Sequence, residues 1–172
     1  MPTITLNFDA ILFDMDGTLI DSTAGVVGAW ELFSKQYPWI DVHDILSSPE
    51  PGLGDLHVRD TSLRDRALAS VGIDLPEVSV YAEDVEKGKP QPDPYLLGAK
   101  RCGVKPENCL VVEDAPAGVR SGNAAGCKTL ALLTSHSREA VEAAQPDYII
   151  NNLADVSMKL TDSGVSVTIT TV

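Results

Sequence analysis

The sequence predicts an α/β protein, a mostly parallel sheet with helices on both faces. Two observations carry that prediction. Short apolar runs alternate along the chain with segments of helical periodicity, as strands joined by helical crossovers do. Two of those runs end in paired carboxylates: Asp14 and Asp16 follow Ala10–Phe13, and Glu113 and Asp114 follow 109–112. Ligands of parallel sheets bind beyond the carboxyl ends of the strands, so both acidic pairs belong on one edge. A length of 172 residues, 44% of them hydrophobic, fits a single domain.

The run Ala10–Phe13 reads as the first strand. A helix follows over 24–37, with Asp21, Ser22 or Thr23 to cap it and Val26, Val27, Trp30 and Phe33 along one face. Residues 41–46 add one further helical turn or two, and 47–55 (SSPEPGLGD) is loop by composition. The stretch 56–58 is a weak strand, and 63–71 a helix ending at Gly72. A short strand is expected over 78–81, then a helix over 94–102 capped by Asp93 and stopped by Gly103. Strand 109–112, helix 117–125, strand 129–133, helix 137–144 and strand Tyr148–Ile150 continue the alternation. The chain closes with a helix over 153–160 and, over 165–170, a Val/Thr/Ile/Thr alternation that suits an edge strand.

Composition narrows the partners. Lys and Arg total 13 against 25 Asp and Glu, a net charge of −12, so bulk charge will not hold a nucleic-acid backbone. An anionic ligand has to be held locally, by a cation, a metal or backbone N–H groups. Cys102, Cys109 and Cys127 are odd in number and contain no CxxC pair, which reads as reduced core or near-core thiols. MPTITLNFDA has neither a basic region nor a long apolar core, and no stretch reaches the length of a membrane span. A cytoplasmic, monomeric protein without membrane or nucleic-acid partners is expected.

Carboxylates gathered at one sheet edge repel one another unless a cation sits among them, and oxygen ligands with open positions beside phosphate suit Mg²⁺. One aspartate can then both hold the metal and attack an electrophile, as carboxylates that become aspartyl-phosphates do. Lys89, between Gly88 and Pro90, would offset charge on such a nucleophile and on a transferring group. Taken alone, DMDG would serve equally as a solvated turn, Glu113 and Asp114 as helix caps, and Lys89 as a surface lysine.

Together these residues resemble the haloacid dehalogenase superfamily of phosphohydrolases, and within it the fungal-type sugar phosphatases and glycerol-phosphate phosphatases. The likeness rests on FDMDGTLID (13–21), KGKPQPDPYLLGAKRCG (87–103) and CLVVEDAPAGVRSGNAAGC (109–127), in that order. It implies a three-layer Rossmann-like core. It implies Asp14 as the nucleophile that is phosphorylated, and Asp16 as the acid and base for leaving alcohol and water. Mg²⁺ would take Asp14, the backbone oxygen of Asp16, and Asp114, with Glu113 as a further ligand or one step behind. Lys89 would hold nucleophile and phosphate in place. The Ser/Thr that bonds the phosphate would be Thr61, with Ser62 as substitute; either also suits the N-cap of the 63–71 helix. Asp16 separates phosphatases from dehalogenases, so carbon–halogen hydrolysis is rejected.

The chain departs from that family in one place. Thr61 lies only 47 positions after Asp14, where the family carries a helical cap that reads the leaving group. The expected layout is one domain, with core segments 1–22 and 56–172 and a shortened cap at 23–55. The expected activity is Mg²⁺-dependent hydrolysis of a small phosphorylated metabolite, a sugar phosphate or glycerol phosphate. The rival from another class is an inactive truncated relative that binds a partner or does nothing. A phosphosugar mutase ranks lower, because it needs a lid to retain its intermediate.

Overall fold

The computed structural model describes residues 3–21, 35, 69, 72–74 and 76–170. Two compact units divide the chain: Met1–Leu19 with Pro76–Val172, and Ile20–Leu75. Nearly all of the second unit lies outside the described residues. So do Thr61, Ser62, the weak strand at 56–58 and most of the helices expected at 24–37 and 63–71, of which Lys35 and Ala69 are described and helical.

The first unit is built on a four-stranded parallel sheet, ordered β2-β3-β4-β5: β2 Ala10–Phe13, β3 Cys109–Glu113, β4 Lys128–Leu132 and β5 Tyr148–Ile150. The register pairs Ile11 with Leu110, Val112 with Leu130, and Leu130 with Tyr148. β3 is central and buried at every position, which explains its unbroken apolar run.

Side chains alternate between two cores because successive strand residues point to opposite faces. On one face Leu12, Cys109 and Val111 pack with Tyr95 and Ala99, while Ala131 packs with Val119 and Val141. These partners come from the helices α1 (Asp93–Arg101), α2 (Pro116–Ala124) and α3 (Arg138–Glu142). On the other face Leu110, Val112, Leu130, Leu132 and Ile150 pack with Phe8, Val167 and Ile169. Those last residues belong to a second, antiparallel sheet ordered β1-β7-β6: β1 Thr3–Phe8, β6 Val156–Thr161 and β7 Gly164–Thr170. The α/β class and the parallel sheet are as the sequence predicts. Among the described residues, however, this face carries a sheet where helices were expected.

Several element readings change accordingly. The expected helix over 153–160 is a single 3-10 turn, Leu153–Asp155, followed by β6. Leu153, Val156 and Leu160 fit a helical period, but Val156, Met158 and Leu160 also fit period two, and pairing with β7 decides for the strand. β7 itself is no edge strand; it lies between β1 and β6. β1 went unread, although Ile4, Leu6 and Phe8 alternate with Thr5 and Asn7. Thr5 and Thr168 face each other across that ladder with hydroxyls 3.0 Å apart. No strand forms at 78–81, where Arg101 donates instead to the Ser79 carbonyl, and Ala82–Asp84 is a 3-10 turn. Asp93 is not the cap of α1 but its first residue, after Pro92, and it accepts from the Lys87 N–H at 3.2 Å.

Ile169 is fully buried between the sheets. Ile169→Val should therefore cost about 1 kcal/mol, the range for removing one buried methylene. Urea unfolding should show the lower midpoint with an unchanged slope.

No helix among the described residues is long and apolar enough to cross a membrane. Cys109 and Cys127 are buried free thiols, and Cys102 is an exposed one.

Candidate active site

Parallel pairing of β2 with β3 brings their carboxyl ends together, and the Asp14 N–H closes the ladder on the Val112 carbonyl at 2.9 Å. Asp14, Glu113 and Asp114 thereby meet, each offering a carboxylate oxygen within 4.8 Å of the others'. Glu113 is fully buried and Asp114 nearly so.

Lys89 enters this cluster from the loop before α1. That loop turns through Gln91 N–H to Gly88 carbonyl at 3.0 Å, and Ser121 of α2 donates to the Gln91 carbonyl at 2.6 Å. The Lys89 ammonium donates to Asp14 Oδ1 and to Glu113 Oε1, each at 2.5 Å. Tyr95, from the first turn of α1, donates its hydroxyl to the same Glu113 oxygen at 2.7 Å. Glu113 Oε2 accepts from the backbone N–H groups of Asp114 and Ala115, both at 3.1 Å. Neither acid serves as a side-chain cap of α2, whose N-cap is Ala115.

Asp114 is held from two sides. Thr18, itself buried, donates to Oδ1 at 3.1 Å, and Ser135 bonds it from the loop after β4. Thr134 in that loop donates to the Gly17 carbonyl at 2.6 Å. Gly17 takes φ +77° directly beside Asp114, where a Cβ would stand 2.2 Å from Oδ2, so the DGT turn requires glycine.

Charge is unevenly balanced across the cluster. Burial, and then the Glu113 charge, push the Asp14 carboxyl up to about 6, against the pull of Lys89. Burial likewise raises Asp114. Burial alone would lower Lys89, but Glu113 and Asp14 outweigh it and hold its ammonium raised. Burial and the Glu113 charge keep the Tyr95 phenol well above its ordinary range, so it remains a donor. Asp16 stands exposed beside this group, and its charge adds to the pressure on Asp14.

The structure thus gathers Asp14, Lys89, Glu113 and Asp114, with Asp16 at the rim. Three carboxylates with hard oxygen donors and one ammonium form a donor set that fits a divalent cation next to an anionic group. A model of the haloacid dehalogenase-like hydrolase family matches residues 45–126. Hexitol phosphatase A of Escherichia coli (strain K12) is 43% identical over 93 residues, which are 54% of this chain and 42% of that protein. Over that stretch this chain is similar to the haloacid dehalogenase-like hydrolases. Glycerol-1-phosphate phosphohydrolase 2 of Saccharomyces cerevisiae is 26% identical over 210 residues, covering 87% of this chain and 84% of that one. Among solved structures, a hydrolase from Pseudomonas syringae superposes with TM-score 0.65 at 19% identity, over 83% of this chain and 93% of the other, a likeness of fold. The chain spans less than half the length of the hexitol phosphatase it matches.

In this site, sequence reasoning passed over Tyr95, Ser135 and Gly118. Tyr95 sits inside the KGKPQPDPY stretch, six residues after Lys89. No local pattern distinguishes a tyrosine aimed at a distant carboxylate from one that simply fills the core.

Proposed function

We propose that the chain is a Mg²⁺-dependent phosphomonoesterase for small phosphorylated metabolites, working through an aspartyl-phosphate. The observation that carries this reading is the Lys89 ammonium bonded to Asp14 and Glu113 within a cluster of three carboxylates. A carboxylate so placed is a nucleophile with a fixed cation beside the charge that develops on phosphorus. An Asp14 oxygen forms a bond to phosphorus as the ester P–O bond breaks, and the alkoxide leaves with the Asp16 proton. Asp16 then takes a proton from water, which attacks phosphorus, releases phosphate and restores the Asp14 carboxylate. The Asp14 and Asp114 carboxylates and the Asp16 carbonyl would hold Mg²⁺, with Glu113 behind them. The cation would neutralise phosphate charge as Lys89 does. Thr61 or Ser62 would add a hydroxyl to the phosphate.

The relatives' names point to the substrate class: a hexitol phosphatase and a glycerol-1-phosphate phosphohydrolase favour a phosphorylated polyol or sugar. The yeast alignment extends over 210 residues yet covers 87% of a 172-residue chain, so about 60 positions have no counterpart here. That shortfall supports a reduced cap at 23–55 and a loss of leaving-group selectivity. It is also the observation favouring the rival reading, an inactive relative.

The deciding assay is phosphate release from p-nitrophenyl phosphate. With Mg²⁺ present, turnover should be plain, and EDTA should remove it. Absence of release from folded protein across a panel of polyol and sugar phosphates would leave the inactive relative standing.

A further inference from the structure

Lys89 supplies the ammonium of this cluster. Its ammonium rides on a flexible four-carbon stem, and its side chain is 28% exposed. What fixes it over Asp14 is Glu113 Oε1, at 2.5 Å. What fixes that oxygen is Tyr95, whose hydroxyl donates to it at 2.7 Å. The other carboxylate oxygen is tied to two backbone N–H groups, so all four acceptor directions of Glu113 are used within the chain. The Tyr95 ring also lies beneath the same ammonium, 5.5 Å from centroid to Nζ. Tyr95 is 6% exposed in the packed first turn of α1, so its hydroxyl is placed by the fold rather than by solvent.

We propose that Tyr95 is a positioning residue, whose hydroxyl acts through Glu113 to set where the Lys89 ammonium stands over Asp14. Its consequence for turnover rests on the phosphatase reading above; the positioning itself does not. Phenylalanine at 95 would keep the ring, its packing and its face toward the ammonium. It would remove only the Tyr95 bond to Oε1, leaving that oxygen to Lys89 while the backbone N–H groups still hold Oε2.

The test is Tyr95→Phe in the full chain, read in two ways. Metal-free protein in EDTA is treated with limiting acetic anhydride, and acetylation of Lys89 is measured by peptide mass spectrometry against Lys105, whose side chain is 78% exposed. The Lys89 to Lys105 ratio should rise about fivefold, the size of effect one lost hydrogen bond gives. With Mg²⁺ and p-nitrophenyl phosphate, kcat should fall about tenfold with KM held within about twofold, as losses behind a reacting group do. A Lys89 ratio equal to wild type overturns the proposal, whatever happens to turnover or melting temperature. Should the wild-type chain release no phosphate, the phosphatase reading fails. The acetylation ratio then still decides: a rise supports positioning by Tyr95, and no change overturns it.

Discussion

Asp14→Asn should cut Mg²⁺-dependent phosphate release by a factor on the order of 10⁴ and, in EDTA, raise the thermal stability of the chain. The first effect follows from removing the nucleophile. The second follows from the electrostatics of the cluster. Burial and Glu113 hold the Asp14 carboxyl at about 6, against 3.8 for an ordinary one. A carboxyl raised in this way favours folding below pH 3.8, and that contribution is lost as pH climbs through 6 and the group must ionise against its surroundings. Asparagine stays neutral, keeps the shape and can still accept from Lys89. Its advantage at neutral pH is at most about 3 kcal/mol, or roughly 6–12 °C for a chain of this size. Melting curves in EDTA at pH 7.5 and pH 4.5 check the sign: the gap should be wide at the first and narrow at the second. Equal melting temperatures at pH 7.5 would mean that Asp14 carries no such burden. Retained turnover would remove Asp14 from the chemistry.

Gly118→Ala should lower the melting temperature by about 6–12 °C, an effect opposite to the usual one. Glycine to alanine inside a helix ordinarily gains about 1 kcal/mol. Here the new Cβ would lie 1.7 Å from Glu113 Oε1 and 1.9 Å from its Cδ. Glu113 is fully buried and bonded by Lys89, Tyr95 and two backbone N–H groups, so it has nowhere to retreat. Displacing it strands a buried charge, a loss of about 3–5 kcal/mol that exceeds the helical gain. Gly88→Ala is the control, since a Cβ there meets nothing within 4 Å and should change stability by less than about 0.5 kcal/mol. If both variants melt alike, Glu113 is not held as rigidly as its bonds indicate.

The parallel strands and the acidic edge were legible because their signals are local. The run 109–112 is apolar throughout, and the strand-end rule places Glu113 and Asp114 at the sheet's carboxyl edge. The antiparallel sheet was not legible, because its evidence is distant. TITLNF alternates, but nothing near it in sequence can pair with it; its partner begins at Gly164. Val156–Thr161 satisfies both a helical and an extended period, and only the β7 ladder separates them. The site divides in the same way. Asp14, Lys89, Glu113 and Asp114 lie in recognisable stretches, whereas the work Glu113 does depends on donors from the turn after β3, from α1 and from the loop before it, which no spacing reveals.

The ladder of β1 with β7 has a consequence for the order of events during synthesis. Thr3 pairs with Thr170 and Phe8 with Val165, contacts between the first and last stretches of the described chain. Until β7 has left the ribosome, β1 has no partner, and Leu110, Val112, Leu130, Leu132 and Ile150 lack their covering layer. Such long-range pairing is slow to form, and uncovered apolar strands are prone to aggregate meanwhile. The nascent protein therefore passes through an interval in which its acidic edge can assemble while half its core stands open. Chaperone demand should be greatest in that interval, and a stop codon placed just before Gly164 would make it permanent.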